Sequence, residues 1–339
     1  MPKQVSMHIT VSSVPIADLP TEDVDVVEVS VPGGVAPATA VWPTEGNVHF
    51  FNEAAGIEYA TLPLAGPNVS GVDFYSDGIW GVYSTSGFMH IFRMVTAPTG
   101  LPTQSAAVPL LDAPMRRDID PILINHPSSP SGRAVIQATR QTITCFAIPT
   151  GITLWSIALP SPVVEAVDPV INAANTLLFV PTEGFMTAVD PITGAVLSTT
   201  ALNTELVREV DARFVLGDTR CYLPRRAVLS AFSGTPPALG GTGALISSTA
   251  LNSLGIEGND MEVDPTGTYG FLPTLALMYQ FNLATGAVAA TYPFDGAAHE
   301  RNQDVVFTPV GVAPAKAVYC TEGTMWIYDV ASLGAIAGD

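Results

Sequence analysis

A short pattern recurs seven times along this chain of 339 residues and constrains the fold more than any other feature. In two clear copies, PTEG at 181–184 precedes FMTAVDPITG and PTEG at 43–46 precedes NVHFFNEAAG. We call the corresponding residue of each copy the anchor residue, and the seven anchor residues are Thr44, Thr85, Thr139, Thr182, Arg225, Thr274 and Thr321. Successive anchor residues are 41 to 54 positions apart, close to the ~40–50 residues of a four-stranded propeller blade.

Each copy has the same order of short apolar segments with a period of two, which is typical of β-strands. An acidic residue opens the first segment, the second ends at the anchor residue, and two more follow after turns. With 29 Gly and 29 Pro, long helices would be interrupted repeatedly. The sequence therefore predicts an all-β fold, a seven-bladed β-propeller of four-stranded blades that forms one domain over residues 1–339.

The last copy ends in SLGAIAGD, which is too poor in apolar residues to form a fourth strand. The N-terminal segment MHITV, at 7–11, has the strand pattern that this copy lacks. An open ring would leave an unpaired strand edge. We therefore predict that residues 5–14 close the seventh blade.

Two blocks carry a family resemblance: LLFVPTEGFMTAVDPITGAVLSTT and YGFLPTLALMYQFNLATGAVAATYPF. They resemble the repeats of the YVTN and quinoprotein-like (PQQ-repeat-like) propeller superfamily. The resemblance implies the propeller fold, but these families include lactonases, lyases, dehydrogenases and binding scaffolds, so it implies no single function. The four tryptophans, at 42, 80, 155 and 326, do not share one repeat position. This departs from the pattern of quinone-dependent dehydrogenases and disfavours a quinone cofactor.

The charge balance narrows the choice of partners. The chain has 13 basic and 31 acidic residues, a formal net charge of −18, and such a surface repels the phosphates of nucleic acids. No uninterrupted apolar stretch of membrane-spanning length and no signal peptide are visible. We expect a cytoplasmic or virion-like, assembly-associated protein, or an extracellular one whose leader was trimmed. Cys145, Cys221 and Cys320 lie far apart in apolar runs, so we expect buried thiols.

Acidic residues open the first predicted strand of each repeat, and such strands line the channel of a propeller. The acidic residues are Asp25, Asp73, Asp120, Glu165 or Asp168, Glu209 or Asp211, Asp260 or Glu262, and Asp304. Carboxylates that converge at one channel mouth repel one another or recruit Ca²⁺ or Mg²⁺, and the candidate ligands are Glu165, Asp168, Glu209 and Asp304. In the alternative interpretation these carboxylates bind backbone amides where the blades begin. No other cofactor is expected.

Three histidines are of interest. His299, followed by Glu300 in AAHERNQD, precedes the last inner strand and could serve as a general base or a metal ligand. In the alternative interpretation, His299 and Glu300 lie in a solvated loop and have no catalytic or metal-binding role. His49 and His90 occupy the same repeat position as Thr144, Thr187 and Trp326. A packing or surface position explains them better than a metal pair.

The fifth repeat concentrates five arginines within nineteen residues: Arg208, Arg213, Arg220, Arg225 and Arg226. On an acidic chain such a patch is a candidate dock for a carboxylate-rich partner or another copy. Equally, the arginines could pair with Glu205, Glu209, Asp211 and Asp218, which lie among them.

The function that the sequence favours is a non-catalytic interaction or assembly module in a larger complex, bound by other protein subunits or by itself. A charged fraction of only 13% suits a protein whose surface is covered by neighbours, and the chain contains no G-x-S-x-G, P-loop or G-x-G-x-x-G motif. The alternative is a metal-assisted lactonase or lyase with its site at the channel mouth.

Overall fold

The structure is a computed structural model, and it describes residues 27–29, 39–52, 55–69, 71–94, 100–112, 119–203, 205–208, 210–239, 244–256, 259–294, 305–307, 316–321 and 324–330. Within these ranges the secondary structure is entirely β, as predicted. The described part of the chain holds no helix with the length and apolar character needed to cross a membrane.

The strands form seven antiparallel sheets, each built from strands that follow one another in the sequence. Sheet 1 contains β1 (Val27–Val29), β2 (Thr39–Thr44), β3 (Asn47–Asn52) and β4 (Ile57–Pro63). Sheet 2 contains β5 (Tyr75–Ser76), β6 (Trp80–Thr85), β7 (Phe88–Arg93) and β8 (Thr103–Pro109). Sheet 3 contains β9 (Ile122–Asn125), β10 (Arg133–Ala138), β11 (Thr142–Ala147) and β12 (Thr153–Ala158).

The remaining four sheets continue the same order. Sheet 4 contains β13 (Val170–Ile171), β14 (Leu178–Thr182), β15 (Phe185–Val189) and β16 (Val196–Ala201). Sheet 5 contains β17 (Arg213–Val215), β18 (Arg220–Arg225), β19 (Val228–Ser233) and β20 (Leu245–Ala250). Sheet 6 contains β21 (Glu262–Val263), β22 (Tyr269–Pro273), β23 (Leu277–Asn282) and β24 (Val288–Pro293). Sheet 7 has three described strands, β25 (Val306–Phe307), β26 (Lys316–Thr321) and β27 (Thr324–Asp329).

The chain divides into two compact units, residues 1–137 with 146–153 and residues 138–145 with 154–339. Sheets 1 and 2 belong to the first unit, sheets 4 to 7 to the second, and the residues of sheet 3 fall in both. The predicted closing segment, residues 5–14, lies outside the described residues, so its pairing with sheet 7 stays a prediction.

The anchor residue ends the second strand because its hydroxyl closes the turn that follows. Five anchor threonines donate a hydrogen bond to the carbonyl oxygen three residues later: Thr44, Thr85, Thr139, Thr182 and Thr274. In sheets 1 and 4 the turn also contains a glycine with φ of +87° (Gly46) and +85° (Gly184), a conformation that other residues adopt at a cost. The repeated Thr-x-Gly motif is therefore a hairpin signal.

In the second unit the core lies between consecutive sheets, where the second and third strands are buried along most of their length. One cluster joins Phe179 of β14 to Phe232 of β19, with ring centroids 5.7 Å apart. The next joins Tyr222 of β18 to Phe281 of β23. Burial of these aromatic side chains supplies a large part of the folding free energy.

The prediction of three buried thiols was correct for Cys145 and Cys221 and wrong for Cys320, which is exposed. The alternation of side chains along β26 explains the error. Tyr319 is buried in the core, so its neighbour Cys320 points to the opposite face of the strand.

Candidate functional site

Three aspartates at the starts of sheets, Asp120, Asp211 and Asp260, bind a backbone amide of the preceding sheet. In the first unit the Asp73 amide donates to Oδ1 of Asp120 at 2.8 Å. In the second unit the Asp168 amide donates to Oδ1 of Asp211, and the Asp211 amide donates to Oδ1 of Asp260, both at 2.7 Å. Each bond is assisted by the carboxylate charge. These contacts match the interpretation in which the repeated acids hold the blade entrances.

Burial raises the pKa of Asp211 to about 6, against the opposing effect of the hydrogen bond from the Asp168 amide. The carboxylate is therefore harder to ionise in the folded protein than in water.

The described residues contain no group of three or more His, Cys, Asp or Glu side chains placed to hold a metal ion. Of the four candidate ligands, Glu165 and Asp168 are described, whereas Glu209 and Asp304 lie outside the described residues, as do Asp25, His299 and Glu300. The Ca²⁺ or Mg²⁺ site and the catalytic role of His299 and Glu300 therefore stay predictions.

His49 lies in a chain of side-chain hydrogen bonds in sheet 1. Its Nδ1 donates to Oε1 of Glu58 at 2.9 Å, and its Nε2 is 3.0 Å from the hydroxyl of Thr44. A hydroxyl, an imidazole and a carboxylate in this order resemble a nucleophile, its base and an orienting acid. Thr44 is fully buried, however, so its hydroxyl is closed to a substrate in this conformation.

His90 has the equivalent position in sheet 2. Its Nε2 donates to the carbonyl oxygen of Ala65 at 3.1 Å, and its Nδ1 accepts from the amide nitrogen of Gln104 at 2.8 Å. This arrangement uses both ring nitrogens of the neutral tautomer. Burial lowers the pKa of His90 to about 4 even though the bond to Ala65 opposes the shift. Packing thus accounts for both histidines.

The arginines of the fifth repeat form ion pairs with the chain itself. Their partners are Glu165 for Arg208 (3.5 Å), Glu262 for Arg213 (2.6 Å) and Glu205 for Arg226 (2.8 Å). Of the acids that the sequence placed among the arginines, only Glu205 is a partner in these pairs. The Arg220 side chain lies beside Tyr222. Docking of a carboxylate-rich partner to this cluster stays a prediction.

Arg225 is different, because it stands where six repeats have threonine and its side chain is only 3% exposed. Its Nη2 donates to the hydroxyl of Ser230 at 2.7 Å. Within the described residues its Nε and Nη1 have no hydrogen-bond partner. Burial lowers the pKa of this guanidinium. Such a charge is costly to keep inside a protein.

An open pocket of about 280 Å³ lies between sheets 5 and 6 and was not predicted from the sequence. Its lining residues are Glu205, Leu206, Val207, Arg226, Leu254, Gly255 and Leu275. Leu254 and Leu275 are 41% and 52% exposed. The sequence feature that could have indicated this pocket is Leu275, the only apolar residue directly after an anchor residue in the seven repeats.

No known family matches the sequence, and no curated protein is significantly similar to it. The fold is similar to three solved structures at low sequence identity. These are BamB from Moraxella catarrhalis (TM-score 0.54, 11% identity, 91% of this chain and 85% of that one), KlHsv2 with loop 6CD replaced by a Gly-Ser linker (0.52, 10%, 85% and 88%) and Saccharomyces cerevisiae Sqt1 (0.59, 12%, 92% and 97%).

BamB and Sqt1 are β-propeller proteins. The comparison does not extend to the YVTN or PQQ-repeat families, so that resemblance stays a prediction. Together, the seven consecutive antiparallel sheets and the likeness to known propellers establish the fold class: this chain is an all-β protein with the seven-bladed β-propeller fold.

Proposed function

We propose that this chain is a non-catalytic β-propeller scaffold of a larger protein assembly, with contacts made through the fourth strands of its sheets. The observation that carries the proposal is the near absence of charge on these strands. β4, β8, β12, β16, β20 and β24 together contain one charged residue, Glu58, although 13% of the chain is charged.

Each of these strands is the edge of its sheet in the described structure. An edge strand presents unpaired backbone N–H and C=O groups, and most proteins protect it with lysine, with a short strand or with a bulge. Several first strands follow this rule, since β5, β13 and β21 have two residues each. The fourth strands have six or seven residues and lack lysine.

A bulge does occur in five of these sheets, but only near the start of the fourth strand. In β16, for example, the shift lies before Ser198, and pairing is regular from there to Ala201. A run of about four residues therefore remains available for pairing with another chain. Strand addition of this kind is a common mode of protein recognition.

Sedimentation velocity at low and high salt tests the proposal. The charge of −18 makes copies repel one another, and added salt screens that repulsion from a Debye length of ~30 Å at ~0.01 M to ~8 Å at ~0.15 M. We expect the chain to self-associate, and to do so more strongly as salt rises. A strict monomer at high protein and salt concentration would overturn the proposal.

A matched pair of variants locates the contact. Thr199→Lys, Ala250→Lys and Thr291→Lys place one lysine on each of the edges β16, β20 and β24 at exposed positions. The control is Ala174→Lys, Ala238→Lys and Ala284→Lys, which adds the same charge at exposed positions outside the strands of the same three sheets. The edge variant should sediment as a monomer and the control as the wild type. Equal sedimentation of the edge variant and the control would exclude contacts through the fourth-strand edges.

A further inference from the structure

We propose that the pocket between sheets 5 and 6 binds a segment of another protein that presents one large aliphatic side chain beside a lysine or arginine. This inference rests on the proposed scaffold function and names a partner chemistry for a second surface. The pocket is distinct from the fourth-strand edges, and its lining residues lie in turns and loops.

The two exposed leucines of the pocket are not required by the fold. In several repeats the residue after the anchor donates its backbone N–H to a carbonyl oxygen of the loop that precedes the sheet. The pairs are Ser86 with Pro67, Glu183 with Pro162, Arg226 with Glu205, and Leu275 with Leu254. The bond is the same whatever the side chains are. In sheet 6 alone among these pairs, both positions carry leucine.

Exposure of these leucines to water is unfavourable in free energy, and burial under a partner would be favourable. Leu254 and Leu275 are 41% and 52% exposed on one side of the pocket, and Val207 and Leu206 supply further apolar wall. The Cβ atom of any other residue at position 255 would lie 3.2 Å from a methyl group of Val207, so Gly255 leaves the Val207 side chain accessible from the pocket. Apolar surface of this kind, surrounded by polar groups, is characteristic of a protein contact site.

The size of the pocket fits one side chain. Its volume of about 280 Å³ lies just below the range of ~300–1,000 Å³ that is usual for whole small molecules. In protein interfaces, binding energy is concentrated where one large side chain fills a pocket that a polar rim shields from water. Here Arg226 and Glu205 form such a rim, at 59% and 77% side-chain exposure.

The charge of Glu205 and the net charge of the chain favour a basic partner segment over a second copy of this chain. Glu205 binds Arg226 through Oε2 only, and among the described residues its other oxygen has no side-chain donor, so it can accept from an incoming cation. The chain as a whole carries −18, which attracts a basic segment and repels another copy of itself. The occupant is therefore an aliphatic side chain flanked by positive charge.

Fluorescence anisotropy with three labelled synthetic peptides tests the proposal on the full chain. The probe is GSGKLKGSG, and its controls are GSGELEGSG, with reversed charge, and GSGKSKGSG, without the leucine. We expect saturable binding of the first peptide alone, with a dissociation constant in the ~mM range. Binding should weaken as salt rises. Absence of saturable binding, or equal binding of the acidic peptide, would overturn the proposal.

Variants assign the binding to the pocket. Leu254→Ser with Leu275→Ser should abolish binding of GSGKLKGSG, and Glu205→Gln should weaken it several-fold. The control is Leu239→Ser, because Leu239 is 73% exposed and does not line the pocket; it should bind as the wild type. Unchanged binding by the double variant would refute the assignment.

The experiments distinguish failure of the edge-association proposal from failure of the pocket proposal. Self-association through the edges should rise with salt, whereas peptide binding in the pocket should fall with it. The edge lysine variant should keep full peptide binding, and the double leucine variant should keep full self-association.

Discussion

The buried guanidinium of Arg225 leads to a stability prediction that can be worked from the structure. Arg225→Met removes the charge and keeps a long, flexible side chain in the same space. The side chain is 3% exposed, two of its nitrogen atoms lack a partner, and one donates to Ser230. We expect this variant to be more stable than the wild type.

The size of the stability gain follows from the three guanidinium nitrogen atoms of Arg225. An unpaired buried donor costs ~1–3 kcal/mol, and a hydrogen bond from a charged group contributes ~1.5–3 kcal/mol. Two unpaired donors against one lost bond leave a net gain of about 0.5–3 kcal/mol for Arg225→Met. This agrees with the ~1–4 kcal/mol gained when apolar residues of similar volume replace buried ions.

Equilibrium unfolding in urea measures this difference, with the change in the free energy of unfolding as the readout. Arg226→Met is the matched control, because Arg226 is exposed and its ion-pair partner among the described residues is the exposed Glu205; its effect should stay within ~1 kcal/mol. If Arg225→Met instead loses more than ~1 kcal/mol, the guanidinium has a stabilising partner, and the argument from its unpaired donors is refuted.

Three further predictions follow from the aspartates and the predicted closing strand. The pKa of Asp211 is raised to about 6 from 3.8, so the folded state binds the proton of this carboxyl group more tightly than the unfolded state. The wild type should therefore lose up to ~3 kcal/mol of stability as pH rises from ~4 through ~6. Asp211→Asn should remove that loss, as urea unfolding at both pH values would show; an identical pH profile for the variant would contradict the assignment. Ca²⁺ and Mg²⁺ should leave the melting temperature unchanged, because Asp120, Asp211 and Asp260 already bind amides and the described residues hold no cluster of three potential ligands; a rise that Glu165→Ala or Asp304→Ala abolishes would establish the metal site instead. Removal of residues 1–14 should lower the melting temperature by several degrees, because it would expose an unpaired edge in the last sheet; a melting curve identical to that of the full chain would exclude the closing strand.

Most of the fold could be predicted from the sequence because its signals are local. The Thr-x-Gly turn depends on a hydroxyl and a carbonyl oxygen three residues apart, as in Thr182 and Phe185. The alternation of apolar residues that marks each strand also acts over a few residues. Seven copies of one local pattern were enough to predict seven sheets.

The candidate sites were harder to predict because they depend on contacts between repeats. The sequence left two roles open for the repeated acids, and the bond from the Asp168 amide to Asp211, 43 residues away, favours the structural one. In one of the two interpretations of the arginine cluster Arg213 pairs with a nearby acid, but its partner is Glu262, 49 residues later. Such pairings follow from the positions of neighbouring sheets, which sequence spacing does not specify.

The sequence by itself determined the number of sheets, their strand order and the turns that join their strands, because each is encoded within one repeat of about 45 residues. Only the tertiary structure decided which side chains are buried between sheets and which remain at the surface. Arg225 and Leu275 show the difference. Each departs from the repeat in or beside the anchor position, yet packing buries the charged one and exposes the apolar one.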